Sequence, residues 1–191
     1  MTVSVAALRE KAAGWFAEAR ANPLFPLGLA GAAAVVALDQ ATKYWIVRVL
    51  DLPSALKPCD LKPGEFCRQI SLSPVFDLTY VENRGASFGM MAGGMVSRVF
   101  LSSISIAIAT IMIVWLGRLK RRFAAAGAGL IIGGALGNLC DRVRYGYVVD
   151  FLDFSGLMFP WVFNVADMAI NVGFACLILD ALLHKDGKAA K

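Results

Sequence analysis

Two aspartates carry the first chemical signal. Asp150 closes the run "YVVD" and Asp167 closes "FNVAD", and neither has a cation beside it in sequence. A carboxylate deep in hydrocarbon costs roughly 2.5–3.5 kcal/mol on insertion scales. Set close together, two carboxylates cannot both ionise comfortably, so they share a proton. The ionised member then takes a proton from water as general base, while the protonated member polarises a carbonyl as general acid. Amide hydrolysis by such a pair uses no metal and no covalent intermediate. The single histidine, His184, sits in the polar tail, which argues against His-ligated zinc and against a Ser/His pairing. No metal or cofactor is expected.

Other polar residues interrupt apolar sequence. Asp39 and Lys43 lie at i and i+4, where the two can pair. "ENRGASFG" carries Asn83, Arg84, Gly85 and Gly89, and "GNLCDR" carries Asn138, Asp141 and Arg142. Asn164, Asp167 and Asn171 fall at i, i+3 and i+7, one helix face. Several have blander explanations. Asp39 with Lys43 reads as a structural ion pair, and Asp141 with Arg142 as a polar pair at a helix end. Asn164 and Asn171 read as interhelical hydrogen-bonding groups. Asp153 reads as a solvated or interfacial loop charge, and Asp180 as interfacial.

The elements that must position these residues are set by composition. The 191 residues are 58% hydrophobic and only 17% charged, with a mean hydropathy of +0.64. That is far more apolar than a soluble domain. Apolar stretches at 24–50, 96–117, 123–140 and 159–183 are each near the ~20 residues a spanning helix needs. Lys and Arg concentrate before the first stretch, between the second and third (Arg118, Lys120, Arg121, Arg122), and in the tail. The positive-inside rule puts both termini in the cytoplasm and loops 51–95 and 141–158 outside. Asp39 then lies about 16 Å below the outer end of span one, and Asp167 about 10 Å inward from Pro160. The polar groups therefore gather near the outer surface. The net charge of +5 follows from this topology. No basic patch with interleaved aromatics suggests nucleic acid.

The expected fold is an all-α membrane protein with four transmembrane helices, a small extracytoplasmic β element and an N-terminal amphipathic surface helix. Segment 1–23 forms that helix, with Leu8, Ala12, Trp15, Phe16 and Ala19 at helical spacing. Residues 24–183 form the membrane domain and 184–191 a cytoplasmic tail. In loop 51–95, Ile70, Leu72, Phe76, Leu78 and Tyr80 share one parity, a strand signal interrupted at Pro74. Cys59 and Cys67 lie in the same loop. An outside location permits a disulfide, and spacing leaves the pairing open. Cys140 and Cys176 read as apolar filler. Gly129, Gly133 and Gly137 recur every four residues, a stripe that lets another helix approach closely.

Five motifs then occur in order: "DQATKYW" at 39–45, "NRGASFG" at 83–89, "GGALGNLCDR" at 133–142, "VVDF" at 148–151 and "FNVAD" at 163–167. Together they resemble the lipoprotein signal peptidase (signal peptidase II) family over roughly residues 24–183. The resemblance implies an aspartic endopeptidase of the bacterial inner membrane; a monomer is the expected state, though the sequence itself does not fix it. Its partners would be membrane lipids and a diacylglyceryl-prolipoprotein, cleaved just before the lipidated cysteine. It also implies that Asp150 and Asp167 are the catalytic pair. By the same resemblance Asp39, Lys43, Asn83, Gly85, Asn138, Asp141, Arg142 and Asn164 support that pair or bind substrate. Ser87 departs from the family, which usually has alanine there. The N-terminal helix and the cysteine-bearing loop are longer than usual. The competing reading is a proton-coupled transporter component, since intramembrane acids also mark ion paths. The absence of repeated halves argues against it.

Overall fold

The computed structural model describes residues 4–54, 57–58, 66–85 and 94–184. Among these residues, four helical stretches are long and apolar enough to cross a membrane: Leu24–Val49, Met95–Leu116, Arg122–Arg144 and Val165–Leu183. The first consists of α2 (Leu24–Tyr44) continued by a π turn, Trp45–Val49. The others are α3 (Met95–Leu116), α4 (Arg122–Arg144) and α5 (Val165–Leu183).

Two boundaries differ from the sequence expectation. Helix α4 runs on to Arg144, so Asp141 and Arg142 belong to its last turns rather than to a following loop. Helix α5 starts at Val165, not at 159, because Val162–Phe163 pair as a strand and Asn164 caps the helix. Hydropathy alone does not separate an apolar strand from the helix it leads into.

Helix α4 is the central one and packs on α2, α3 and α5. Its small residues make this possible. A Cβ on Gly129 would stand 2.6 Å from the Gly28 carbonyl oxygen of α2, and one on Gly127 would stand 2.7 Å from the Gly173 carbonyl oxygen of α5. The expected glycine stripe is thus the α2 seam. Gly133 meets Ala32 and Val35, and Gly137 leaves room for the Asp39 carboxylate. At the other end of the bundle, Leu116, Ala32, Ala124 and Ala128 form a compact core.

The β element is larger than expected. β3 (Gln69–Ser73), β4 (Phe76–Asn83), β5 (Val148–Asp153) and β6 (Val162–Phe163) form one antiparallel sheet in that order. β1 (Lys57–Pro58) and β2 (Phe66–Cys67) make a separate small pair. The expected interruption at Pro74 is the β3–β4 turn. Leu78 and Tyr80 of β4 and Val149 and Phe151 of β5 pack on Ile46 and Leu52 at the end of the first span. Leu72 is exposed because the pairing shifts register between Ser71 and Ser73 on this edge strand. Cys59, Ser87 and Gly89, like the Cys67 side chain, lie outside the described residues.

The N-terminal helix α1 (Val5–Ala21) is capped by the Ser4 hydroxyl, which accepts from the Ala7 amide. Trp15 donates to the Val114 carbonyl at 2.9 Å. The Asn22 side-chain amide donates to the Leu116, Gly117 and Leu119 carbonyls at 3.2, 3.1 and 2.9 Å, satisfying the otherwise orphaned end of α3. Leu8 and Phe16 remain exposed. Of the five residues of the expected apolar face, Trp15 and Ala19 pack at the end of α3, and Leu8, Ala12 and Phe16 face away.

Candidate active site

Asp150 sits on β5, in register with Val81 of β4, and is 1% exposed. Alternation along β5 turns Val149 and Phe151 into the core beneath the sheet and Asp150 to the opposite face. The sequence places this segment in the outer loop 141–158, and pairing with β4 makes it a strand. Asp167 lies in the first turn of α5, where the Asn164 side-chain oxygen accepts its amide at 3.0 Å. An Asn cap and a first-turn carboxylate both suit a helix start. Asp167 is accordingly not about 10 Å inward along a helix from Pro160. The late start of α5 removes that stretch of helix.

Three asparagines hold the two carboxylates. The Asn164 side chain donates to Asp150 Oδ1 at 2.5 Å and to Asn138 Oδ1 at 3.2 Å. Asn138 donates to Asp167 Oδ1 at 2.8 Å. Asn83 donates to Asp150 Oδ2 at 2.9 Å, while its own oxygen accepts the Gly85 amide at 3.0 Å. That turn needs Gly85. Its φ is +80°, and a Cβ there would stand 2.5 Å from the Leu101 side chain.

A second network adjoins the first. Lys43 Nζ, buried, lies 2.8 Å from Asp39 Oδ2 and 2.8 Å from Asp141 Oδ2. It also donates to Asn138 Oδ1 at 3.3 Å. Each acid has further donors. Asp39 accepts the Ala166 amide at 2.9 Å, Asp141 accepts the Val149 amide at 3.0 Å, and Gln40 donates to Asp141 at 2.8 Å. The i,i+4 pair is therefore present, but as one arm of a buried trio. Asp141 does not pair with Arg142, because adjacent helical residues point in different directions. Arg142 instead reaches the Ser105 hydroxyl at 3.4 Å and the Asn138 carbonyl at 3.5 Å.

The Asp150 carboxyl is pushed up from 3.8 to about 7. Burial is the main cause, followed by the nearby Asp167 charge. Asn83, Asn164 and Lys43 act in the opposite direction. A groove of about 590 Å³ opens beside Asp167, with Ser105, Asn138, Arg142 and Asn171 on its wall. A second, of about 410 Å³, shares Asp167 and Asn171 and is walled by Phe159, Trp161 and Phe163.

Other sequence readings are corrected. Asp153 is buried rather than solvated, accepting from the Thr79 hydroxyl at 2.6 Å and the Ser155 amide at 2.9 Å. Asp180, expected to be interfacial, packs against the basic α3–α4 turn, where it pairs with Arg121 at 3.0 Å. Asn164 caps α5 instead of sharing a helix face with Asn171. Arg84 pairs with Glu82 at 2.7 Å. Gln40 and Ser105 were passed over as site residues. Gln40's place inside "DQATK" was the available signal, whereas a serine in an apolar span gives none. Among the described residues, no group of three or more His, Cys, Asp or Glu side chains is placed to hold a metal ion.

Four membrane-crossing helices with polar side chains gathered under a small sheet define a multi-pass membrane protein with a built, enzyme-like site. The chain belongs to the signal peptidase II family, whose family model, described as "Signal peptidase (SPase) II", matches residues 31–183. The lipoprotein signal peptidase of Caulobacter vibrioides is 45% identical over 159 residues, covering 82% of this chain and 87% of that protein. The lipoprotein signal peptidase of Methylocella silvestris is 38% identical over 163 residues, covering 84% and 88%. A bacterial membrane enzyme solved by the in meso method superposes with a TM-score of 0.66 at 28% identity, covering 87% of this chain and 93% of that one. Membership supports a protease that removes signal peptides from lipoproteins.

Proposed function

We propose that this chain is an aspartic endopeptidase of the bacterial inner membrane, with Asp150 and Asp167 as its catalytic pair. Its substrate is a diacylglyceryl-modified prolipoprotein, cut just before the lipidated cysteine. The observation that carries this reading is Asn164, whose side chain donates to the Asp150 carboxylate and accepts from the Asp167 amide. One cap residue thereby ties both aspartates into a single unit. Asp167's charge acts on Asp150, whose carboxyl is held near 7, so one proton is shared close to neutral pH.

The ionised carboxylate takes a proton from water as the water oxygen attacks the scissile carbonyl carbon. The protonated carboxyl gives its proton to the carbonyl oxygen. The resulting gem-diol collapses as one hydroxyl returns its proton to the second carboxylate, the C–N bond breaks, and the leaving nitrogen takes the proton held by the first. Asn138, Asn164 and Asn83 fix the two carboxyl groups; Gly85 permits the Asn83 turn. Asp39, Lys43 and Asp141 form the support behind them, and Arg142 stands at the groove for the substrate backbone, whose amide groups need partners in hydrocarbon. The substrate helix lies in the lipid-facing groove beside Asp167. Residues 24–183 make up the peptidase domain, which acts as a monomer. Lys and Arg placement supports cytoplasmic termini and a site near the outer face.

The test is cleavage of a diacylated prolipoprotein by the purified protein in detergent. Product ending just before the modified cysteine is expected, and chelators are expected to leave the rate unchanged. Chelator-sensitive cleavage restored by zinc would overturn the two-carboxylate mechanism. Family membership favours a peptidase over a transporter component.

A further inference from the structure

The end of the bundle away from the aspartates holds two adjoining cavities that the proposed reaction does not use. One, of about 560 Å³, lies between α1 and the α3–α4 turn, with the charged or polar Glu18, Asn22, Arg118 and Lys120 on its wall. The other, of about 660 Å³, is an apolar groove between α2 and α4, floored by Gly28, Gly31, Ala125 and Gly129, with Arg122 at the helix start. Pro23 lines both, so the two meet.

The charges at this junction are unequal in their pairing. Arg118 is matched by Glu18 at 3.0 Å and Arg121 by Asp180 at 3.0 Å. Lys120 and Arg122 have no acidic partner among the described residues, and both are exposed. A chamber walled by Arg118, Lys120 and Glu18 therefore stands next to an apolar groove that begins at Arg122. That sequence of surfaces complements a molecule with an anionic head and a hydrocarbon tail.

We infer that this junction binds a single anionic phospholipid, its phosphate at Lys120 and Arg122 and one acyl chain along the Gly28–Gly31 face of α2. Basic pockets between membrane helices are a recurrent way of holding such headgroups. Glu18, Asn22, Pro23, Gly28 and Gly31 all precede or begin the family-matched residues 31–183, so much of this junction is built by sequence outside that match. Asn22 sets the chamber's shape, because its amide holds the last carbonyls of α3. The junction lies at the opposite end of α4 from Asn138 and Asp141. It can therefore be altered without touching the aspartate cluster.

The test uses full-length protein stripped of lipid in detergent, with phosphatidylglycerol or phosphatidylcholine added back. Native mass spectrometry counts bound lipid, and thermal unfolding reports its effect. The parent should retain one phosphatidylglycerol and show a higher melting temperature with it than with phosphatidylcholine. Lys120→Gln with Arg122→Gln should weaken retention by roughly tenfold or more. Gly31→Leu should block the acyl channel. A Cβ at Gly31 meets nothing within 4 Å, so that side chain enters open space rather than a neighbour. Equal retention of both lipids by the parent, or undiminished phosphatidylglycerol retention in both variants, would overturn the assignment. Mass counting decides the matter even if a variant melts lower, since bound lipid is scored on the folded fraction.

Discussion

Two sets of carboxylates sit side by side in this protein, all buried except the half-buried Asp167, and their partners differ. Asp39 and Asp141 share the Lys43 ammonium at 2.8 Å each. Asp150 and Asp167 are held by neutral amides from Asn83, Asn138 and Asn164. The first arrangement sets both carboxylates against one counter-ion, with further amide donors, as buried struts would be held. In the second, burial and the nearby Asp167 charge raise the Asp150 carboxyl to about 7, which suits the proton exchange proposed for this pair. Asn138 touches both sets, accepting from Lys43 and donating to Asp167. Burial alone does not distinguish a reactive acid from a structural one. The two sets differ in whether a cation lies in contact.

The largest effect should come from the cation-free pair. Asp150→Asn and Asp167→Asn are each expected to reduce cleavage by roughly 10²–10⁴-fold, with folding in detergent retained. Initial rates on a diacylated substrate, at equal folded protein, check this. Near-parental turnover in either variant would erase the distinction drawn here.

The trio should respond in the opposite sense. Asp39→Ala or Lys43→Met strands buried charge and is expected to cost about 3–5 kcal/mol of stability. Activity per folded molecule should fall much less. A stable but inactive Asp39→Ala protein would move Asp39 into the reacting set.

Asn83→Ala removes one amide from Asp150 while leaving the trio intact. A hydrogen bond to a charged group is worth roughly 1.5–3 kcal/mol, so cleavage should fall and the acidic limb of the rate profile should move to higher pH. An unchanged profile would take Asn83 out of the site.

The smallest effect is on stability against pH. Asp150 binds its proton more tightly folded, near 7, than the ordinary value of 3.8. Its contribution is therefore fully present below about 3.8 and is lost as pH rises to about 7. Asp150→Asn should flatten the melting temperature across that window, and an unaltered slope would show that other groups dominate it.

Much of this was legible in the residues. Four spans follow from runs of hydrocarbon, and the Asp39–Lys43 pair follows from helical spacing. The Pro74 turn follows from a residue that cannot stay in the ladder. The Gly129, Gly133 and Gly137 stripe signalled a close helix seam, though not that α2 fills it. Less visible was β5. "VVDFLD" is short and lies between two helices, and its strand identity depends on β4, more than sixty positions earlier by the Asp150–Val81 register. The start of α5 was misread because an apolar strand and an apolar helix look alike to hydropathy.

The sequence by itself determined where hydrocarbon runs, where cations gather, and which few acids stand inside apolar stretches, because each depends on local composition and spacing. Tertiary structure decided which acid meets which partner. Lys43 bridges Asp39 and Asp141 from different helices, and Asn164 joins a strand aspartate to a helix aspartate. Hydrogen bonds and ion pairs act over about 3 Å, so they depend on distances that chain order does not encode until the helices and the sheet have packed.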